Sequence, residues 1–521
     1  MKFAVKRLLL VSLVATFARS QTLPHFQHIV IIFQENRTPD NLFGSGPIGS
    51  MCGHPDPFEP GVDIQDGGPA EGRGTICDSS IHLQTGADPN HAYKTGWLVQ
   101  WDKGDMDGAC NTTVFNPNNV VLPYCYQYSY VIRSDVQPYF DIATNYGFAN
   151  YMFETNEGPS FPAHQFILSG TSAPVPPGNT GFNYFDAENP ANFHDAGCPY
   201  PGSEPSWVDP LGNETTQSDD CYQHNTLIDV LKASNVTWRY YTPTPGVIWD
   251  APAAISSICG TIVNKICTGP DFANVVWPGK GNSSLIPAIP FLQDVNDCNM
   301  QQVSWVVPDQ LWSDHPSFGG LGPSYVANLV DAIGNSKCKD ANTQTYWQDT
   351  AIFITWDDWG GWFDHVPPPE FYRGEIQGGQ PVCLTRDAPD GWGCGYVYGF
   401  RVPLLVVSAY TPAGYVSGAI SGTTTYPPPK EYTHDFGSIL RFIEVNFGLS
   451  YIDQSVYKGY ADRNTIDSAN GNIPLSDFFP GPYRGFTQIS PTNSQYDSSY
   501  FLNYYVNNDT APQGPDGDDS D

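Results

Sequence analysis

The sequence predicts an α/β domain around a largely parallel sheet, and three observations carry that expectation. Short, wholly apolar runs, HIVIIF at 28–33, AIFIT at 351–355 and VPLLVVS at 402–408, have the length and branched content of strands buried on both faces. Amphipathic helical patterns accompany them. In HDFGSILRFIEVNFG, Phe436, Ile439, Leu440, Ile443 and Phe447 share one face and Gly448 can end the helix, while SYVANLVDAIGN (324–335) precedes the second strand. No internal repeat or low-complexity linker divides the 521 residues, so one domain with long loops is expected.

Taken in chain order, MKFAVKRLLLVSLVATFARS reads as a secretory signal peptide, residues 1–20, with a basic start, an apolar middle and small residues near Ser20. No other stretch reaches the ~18–20 apolar residues of a membrane span, so a secreted, extracellular domain over 21–505 without a transmembrane anchor is expected. Residues 506–521 read as an acidic, disordered tail. The Pro/Gly-rich stretches 173–220, 240–300 and 374–432 read as surface insertions. Twelve cysteines without a CxxC pair suit disulfides in an oxidising compartment. Proximity in sequence pairs Cys52–Cys77, Cys110–Cys125, Cys198–Cys221, Cys259–Cys267 and Cys383–Cys394, leaving Cys298–Cys338. Glycosylation sequons begin at Asn36, Asn111, Asn213, Asn235, Asn282 and Asn508. A net charge of −31 repels nucleic acid and anionic membranes at neutral pH.

Ligands of open α/β sheets bind beyond the carboxyl ends of the strands. Glu35 and Asn36 follow HIVIIF, and Asp357 and Asp358 follow AIFIT, so two strands deliver oxygen ligands to what could be one place. In the first stretch, ENRTPDNLFG, an ordinary turn satisfied by Asn36 and Asp40 would read the same way. The second, TWDDWGGWFDHVPPP, is more telling. Adjacent carboxylates stay ionised only beside positive charge, most simply a metal ion, and Gly360–Gly361 let the backbone pass close to a ligand. Oxygen-rich ligands suit Ca²⁺, Mg²⁺ or Mn²⁺ better than a thiolate-preferring metal. In ETNEGPSFPAHQFILSGTS, Ser160 precedes Pro162 at an expected helix start, where unpaired N–H groups favour an anion; a plain serine cap is the simpler reading of that stretch alone. A G-x-S-x-G elbow is absent, which argues against a serine esterase. His91, His315 and His365, in Asp/Pro-flanked loops, are the remaining catalytic candidates.

ENRTPDNLFG, GPSFPAHQ, SDHPSFGGLG, TWDDWGGWFDHVPPP and YGFRVPLLVVSAY, in that order between about Ile29 and Gly448, together resemble the phosphoesterase family of bacterial phosphatidylcholine-type phospholipases C, plant non-specific phospholipases C and related acid phosphatases. The resemblance implies an alkaline-phosphatase-like fold, a central sheet sandwiched between helices. It implies metal ligation by Glu35, Asn36, Asp357 and Asp358, Ser160 as nucleophile, and phosphoryl or leaving-group contacts from His91 and His315. Asp358 stands where a glutamate is more usual, Pro39 where an aromatic is, and Ala163-His164 where many members have Asn-Arg or Asn-His. The expected function is a metal-dependent phosphoesterase, phospholipase C-like, working through a phosphoserine. Its substrate is a phosphate ester, with phospholipid one option and the phosphomonoesters of an acid phosphatase the alternative. A non-catalytic module that merely holds calcium would need neither Ser160 nor the histidines.

Overall fold

The computed structural model describes residues 23–44 and 80–503, except 103–105, 107, 124, 175–183, 191, 193, 203–205, 209–213, 217–220, 279–288, 341–342, 370–374, 378–379, 383–397, 419–428, 454–459 and 494–495. The expectations for the leader, the tail, Cys52, Cys77, Cys383, Cys394 and the sequons at Asn213, Asn282 and Asn508 lie outside the described residues.

An eight-stranded sheet forms the centre. In chain order its strands are β1 (His28–Gln34), β2 (Gly147–Ala149), β3 (Trp238–Tyr241), β4 (Val275–Val276), β5 (Val303–Val306), β6 (Thr350–Trp356), β7 (Leu404–Ser408) and β8 (Tyr415–Ser417). Across the sheet they run β4-β3-β5-β1-β6-β7-β2-β8. Pairing is parallel from β4 through β6 and again between β2 and β8; β7 alone runs against its two neighbours. The three apolar runs form β1, β6 and β7, and every residue of these strands is buried. Their burial on both faces is why they read as unbroken apolar runs rather than as alternating ones.

Helices cover both faces. In β6, Phe353 and Trp356 point to opposite sides because their separation is odd. Phe353 packs edge-on against Phe442 of α4 (Phe436–Phe447) at 5.3 Å, and Trp356 against Tyr139 of α1 (Arg133–Asn145) at 5.0 Å. Between these in sequence come α2 (Ser160–Ser169) and α3 (Gly322–Gly334). α4 ends where the pattern put it, with Gly448 in the left-handed conformation at φ 65°. No described helix is long and apolar enough to cross a membrane.

Two expectations change. The stretch 240–300 is more than an insertion, because Val275–Val276 closes one edge of the sheet as β4. The stretch 374–432 likewise supplies β8 besides β7. Four of the expected disulfides are present, Cys110–Cys125, Cys198–Cys221, Cys259–Cys267 and Cys298–Cys338.

Candidate active site

β1 and β6 lie side by side in parallel, with Gln34 level with Trp356. The residues that follow therefore emerge together at one edge of the sheet. The Asp357 amide donates to Gln34 O at 3.0 Å, and the Asn36 amide donates to Asp357 Oδ1 at 3.0 Å. Asn36 holds φ 60°, a left-handed conformation that asparagine tolerates better than most residues. The glycine pair shows why the loop carries no side chains there. A Cβ on Gly360 would stand 2.3 Å from Asn36 O, and one on Gly361 would stand 2.7 Å from the carbonyls of Pro89 and Asn90. Two glycines thus let one turn rest on both the Asn36 loop and the His91 loop. Arg37 fastens this arrangement from behind, donating to Asp314 O, Asn41 Oδ1 and Leu83 O with its guanidinium 5.0 Å from the Trp362 ring.

Ser160 is the first residue of α2 and is fully buried. Its hydroxyl donates to Asp358 Oδ2 at 3.3 Å, and the other oxygen of that carboxylate accepts from the Gly360 amide at 2.6 Å. One turn further along the same face, His164 Nε2 lies 3.4 Å from Glu35 Oε1 and 3.8 Å from Asp357 Oδ2. Burial drives the His164 pKa down to about 4 against the pull of Asp357, so its ring is a neutral imidazole. Ligand atoms of Glu35, His164 and Asp357 all lie within 4.8 Å of one another. Asn36 Oδ1 and Asp357 Oδ2, both buried, accept no hydrogen bond. Carboxylates and a neutral imidazole converging with unmet acceptors fit a divalent cation, because such atoms are costly to bury unless something positive meets them.

The candidate histidines occupy three settings. His91 Nδ1 lies 2.9 Å from Pro89 O, which can only accept, so that nitrogen carries the proton and Nε2 accepts from Asn36 Nδ2 at 3.1 Å. His315 Nε2 stands 3.5 Å from Asp88 Oδ2, with both side chains buried. His365 belongs to a salt-bridged cluster. Its Nδ1 meets Asp40 Oδ2 at 2.8 Å, and Arg401 reaches Asp40 at 3.0 Å and Asp364 at 2.8 Å. Burial lifts the Asp40 and Asp364 carboxyls to about 6 against the Arg401 charge.

Asn36 is completely buried, whereas the sequons at Asn111 and Asn235 are exposed. Sequence reasoning passes over two further side chains. His164 stands out there only as a departure from the family pattern, although its i, i+4 spacing from Ser160 places both on one helical face. Glu154 carries no signal in the sequence. It is buried, and burial together with the charges of Asp358 and Asp357 pushes its carboxyl well above the usual range. Gly399 makes room for it, since a Cβ there would stand 2.2 Å from the Glu154 side chain.

A strand-end carboxylate cluster thus faces a helix that begins with a buried serine. The Phosphoesterase family model matches residues 26–450. The chain belongs to this family. Among curated relatives it is 24% identical over 471 residues to a non-hemolytic phospholipase C of Burkholderia pseudomallei, covering 83% of this chain and 57% of that protein. It is 23% identical to a hemolytic phospholipase C of Pseudomonas aeruginosa, covering 83% and 54%. It is 25% identical to phospholipase C B of Mycobacterium tuberculosis, covering 82% and 74%. The chain therefore spans little more than half the length of the first two.

Proposed function

We propose that this phosphoesterase-family chain hydrolyses phosphate esters, in the manner of a phospholipase C, through a serine nucleophile beside a divalent metal. The observation that carries the reading is the Ser160 hydroxyl donating to Asp358 at the edge of the Glu35–His164–Asp357 group. The names of the relatives support the same class. Glu35, Asn36, Asp357 and His164 would hold the ion, with Asp358 beside them. A bound divalent ion supplies Lewis acidity toward phosphoryl oxygens and favours the ionised serine hydroxyl. The imidazole in the set moves the expectation from Ca²⁺ or Mg²⁺ toward Mn²⁺, which accepts nitrogen more readily.

The chain's own residues complete the chemistry. Ser160 Oγ passes its proton to Asp358 and attacks phosphorus in line, forming the Ser160 O–P bond as the bond to the leaving oxygen breaks. His315, set by Asp88, protonates the leaving alcohol and then takes a proton from the water that cleaves the phosphoserine. Asp358 returns its proton to Ser160. His91 fixes the Asn36 amide, and the Asp40–His365–Arg401 cluster braces the loop that follows it. Secretion through the N-terminal leader is part of the same proposal, supported by the disulfides.

The test compares a chromogenic phosphomonoester with a soluble phosphorylcholine diester, with and without chelator. Release from the diester, lost by about 100-fold or more on chelation and restored by Mn²⁺, is expected. Undiminished turnover in metal-stripped protein would overturn the mechanism, and turnover of the monoester alone would move the chain to the acid-phosphatase reading.

A further inference from the structure

Residues 108–132 contain no Asp, Glu, Lys, Arg or His, as is also true of the longer run 402–429. At the chain's 15% charged content, about four charges would be expected in a run of this length. Within the run, Cys110 and Cys125 are bonded to each other and bracket the segment 113–122. Its tip is closed by Asn116, whose amide donates to Val120 O at 2.9 Å and whose Oδ1 accepts from the Val120 amide at 2.9 Å. Val114 and Leu122 pack against the core, whereas three apolar side chains nearer the tip are exposed. Phe115 is 43% exposed, Val120 36% and Val121 100%. Three large apolar residues within seven positions form a cluster, which single scattered apolar residues on a surface do not.

The base of this loop is joined to the candidate active site. Val114–Phe115 pairs antiparallel with Asp88–Pro89, and the Asn90 amide donates to Thr113 O at 3.0 Å. His91 follows at once, and Gly361 of the Asp357–Asp358 turn lies against Pro89 and Asn90. Asp88, which faces His315, is therefore in register with the exposed Phe115. The sequon at Asn111 adjoins Cys110 at the base and leaves the tip clear.

We propose that the 113–122 loop is an interfacial anchor. It inserts Phe115, Val120 and Val121 among the acyl chains of a zwitterionic phospholipid surface and so presents the His91–Ser160 site to lipid headgroups. The proposal rests on the phospholipase reading and names how its substrate is met. The lipid surface is favoured because the loop has no charge, whereas the rest of the chain, at −31, is repelled by anionic membranes. Apolar side chains on a rigid loop bind an interface in proportion to the apolar area buried.

The full chain is floated with phosphatidylcholine vesicles, and its partitioning is measured for wild type, Val121→Asp and Phe115→Ser. In parallel, each is assayed on the soluble phosphorylcholine diester and on the vesicles. Val121→Asp is expected to weaken vesicle binding roughly 10-fold or more, since it replaces an inserted apolar group by a charge. Vesicle hydrolysis should fall with it while turnover of the soluble diester stays at the wild-type value. Wild type that does not float, or Val121→Asp that floats as well as wild type, overturns the proposal. So does a loss of thermal stability in Val121→Asp, because it would mean the tip is covered by another part of the protein. Failure of the phospholipase reading looks different: vesicle binding persists and neither substrate is cleaved.

Discussion

Two aspartates in succession are tolerated here because their side chains diverge at once. Asp357 turns one oxygen to the Asn36 amide, and Asp358 turns to Gly360 and Ser160. Their neighbourhood was legible in the sequence because both carboxylates follow an apolar run too short to be anything but a strand. His164 and Glu154 were not, because their importance comes from what folding places opposite them. Ser160→Ala removes the hydroxyl while leaving the Glu35–His164–Asp357 group intact. Turnover is expected to fall by about 10³-fold or more, with metal content retained by elemental analysis. Quenching wild type in acid with labelled substrate should place phosphate on Ser160. Label elsewhere, or a variant within tenfold of wild type, would mean that water attacks directly.

At the scale of elements, two glycines with nearly the same φ separate stability from function. Gly448 ends α4 at φ 65° with nothing within 4 Å of where a methyl group would stand, whereas Gly360 at φ 62° would drive that methyl into the Asn36 carbonyl. Gly448→Ala should therefore cost only the left-handed penalty, about 1 kcal/mol, and leave turnover unchanged. Gly360→Ala carries the same penalty plus a displacement of Asn36, so thermal denaturation should shift further and turnover should drop at least ~10-fold. Equal effects of the two on activity would show that the Gly360 contact does not position the site. Helix ends of this kind were readable from pattern and a terminal glycine. Strand direction was not. The run 402–408 looks the same whichever way it lies, and β7 turned out antiparallel because the chain re-enters the sheet from the edge where β6 leaves it. β2 and β4, of three and two residues, are too short to show any period, and β3 reads as aromatic rather than apolar.

The whole molecule carries its acidity inside as well as outside. Burial lifts the Asp314 carboxyl to about 7 against Arg37, and burial with the Asp467 charge lifts Asp435 to about 7. Burial with the Asp462 charge lifts Glu444 to about 9. Unfolded, these groups would titrate near 4. The folded chain thus binds more protons between those values, and stability that is complete below the unfolded pKa is lost as pH rises through the folded one. His434 shifts the same way. Burial lowers its pKa, but its bond to Asp467 and the charges of Asp477, Asp467 and Asp435 outweigh that and raise it. Thermal unfolding is expected roughly 2–5 °C higher at pH 5.5 than at pH 8.5. Glu444→Gln should flatten that slope across the whole interval from the unfolded value up to about pH 9. A profile that rises with pH would contradict this assignment. Composition gave the net charge, but no local pattern reveals which carboxyls end up enclosed.

The position of β1 has a consequence for how the molecule is made. The first strand among the described residues lies in the middle of the sheet, and its two partners, β5 and β6, begin at Val303 and Thr350. At translation rates of about 5–20 residues per second, β1 waits tens of seconds for either neighbour. Both of its hydrogen-bonding edges are open throughout that time, on a strand with no charged residue to discourage stray pairing. Glu35 and Asn36 emerge early and acquire their meaning only when Asp357 arrives. A nascent chain therefore has no half-built centre that could act before Asp357 and Asp358 have been made, and its survival until then depends on keeping that one apolar ribbon from the wrong company.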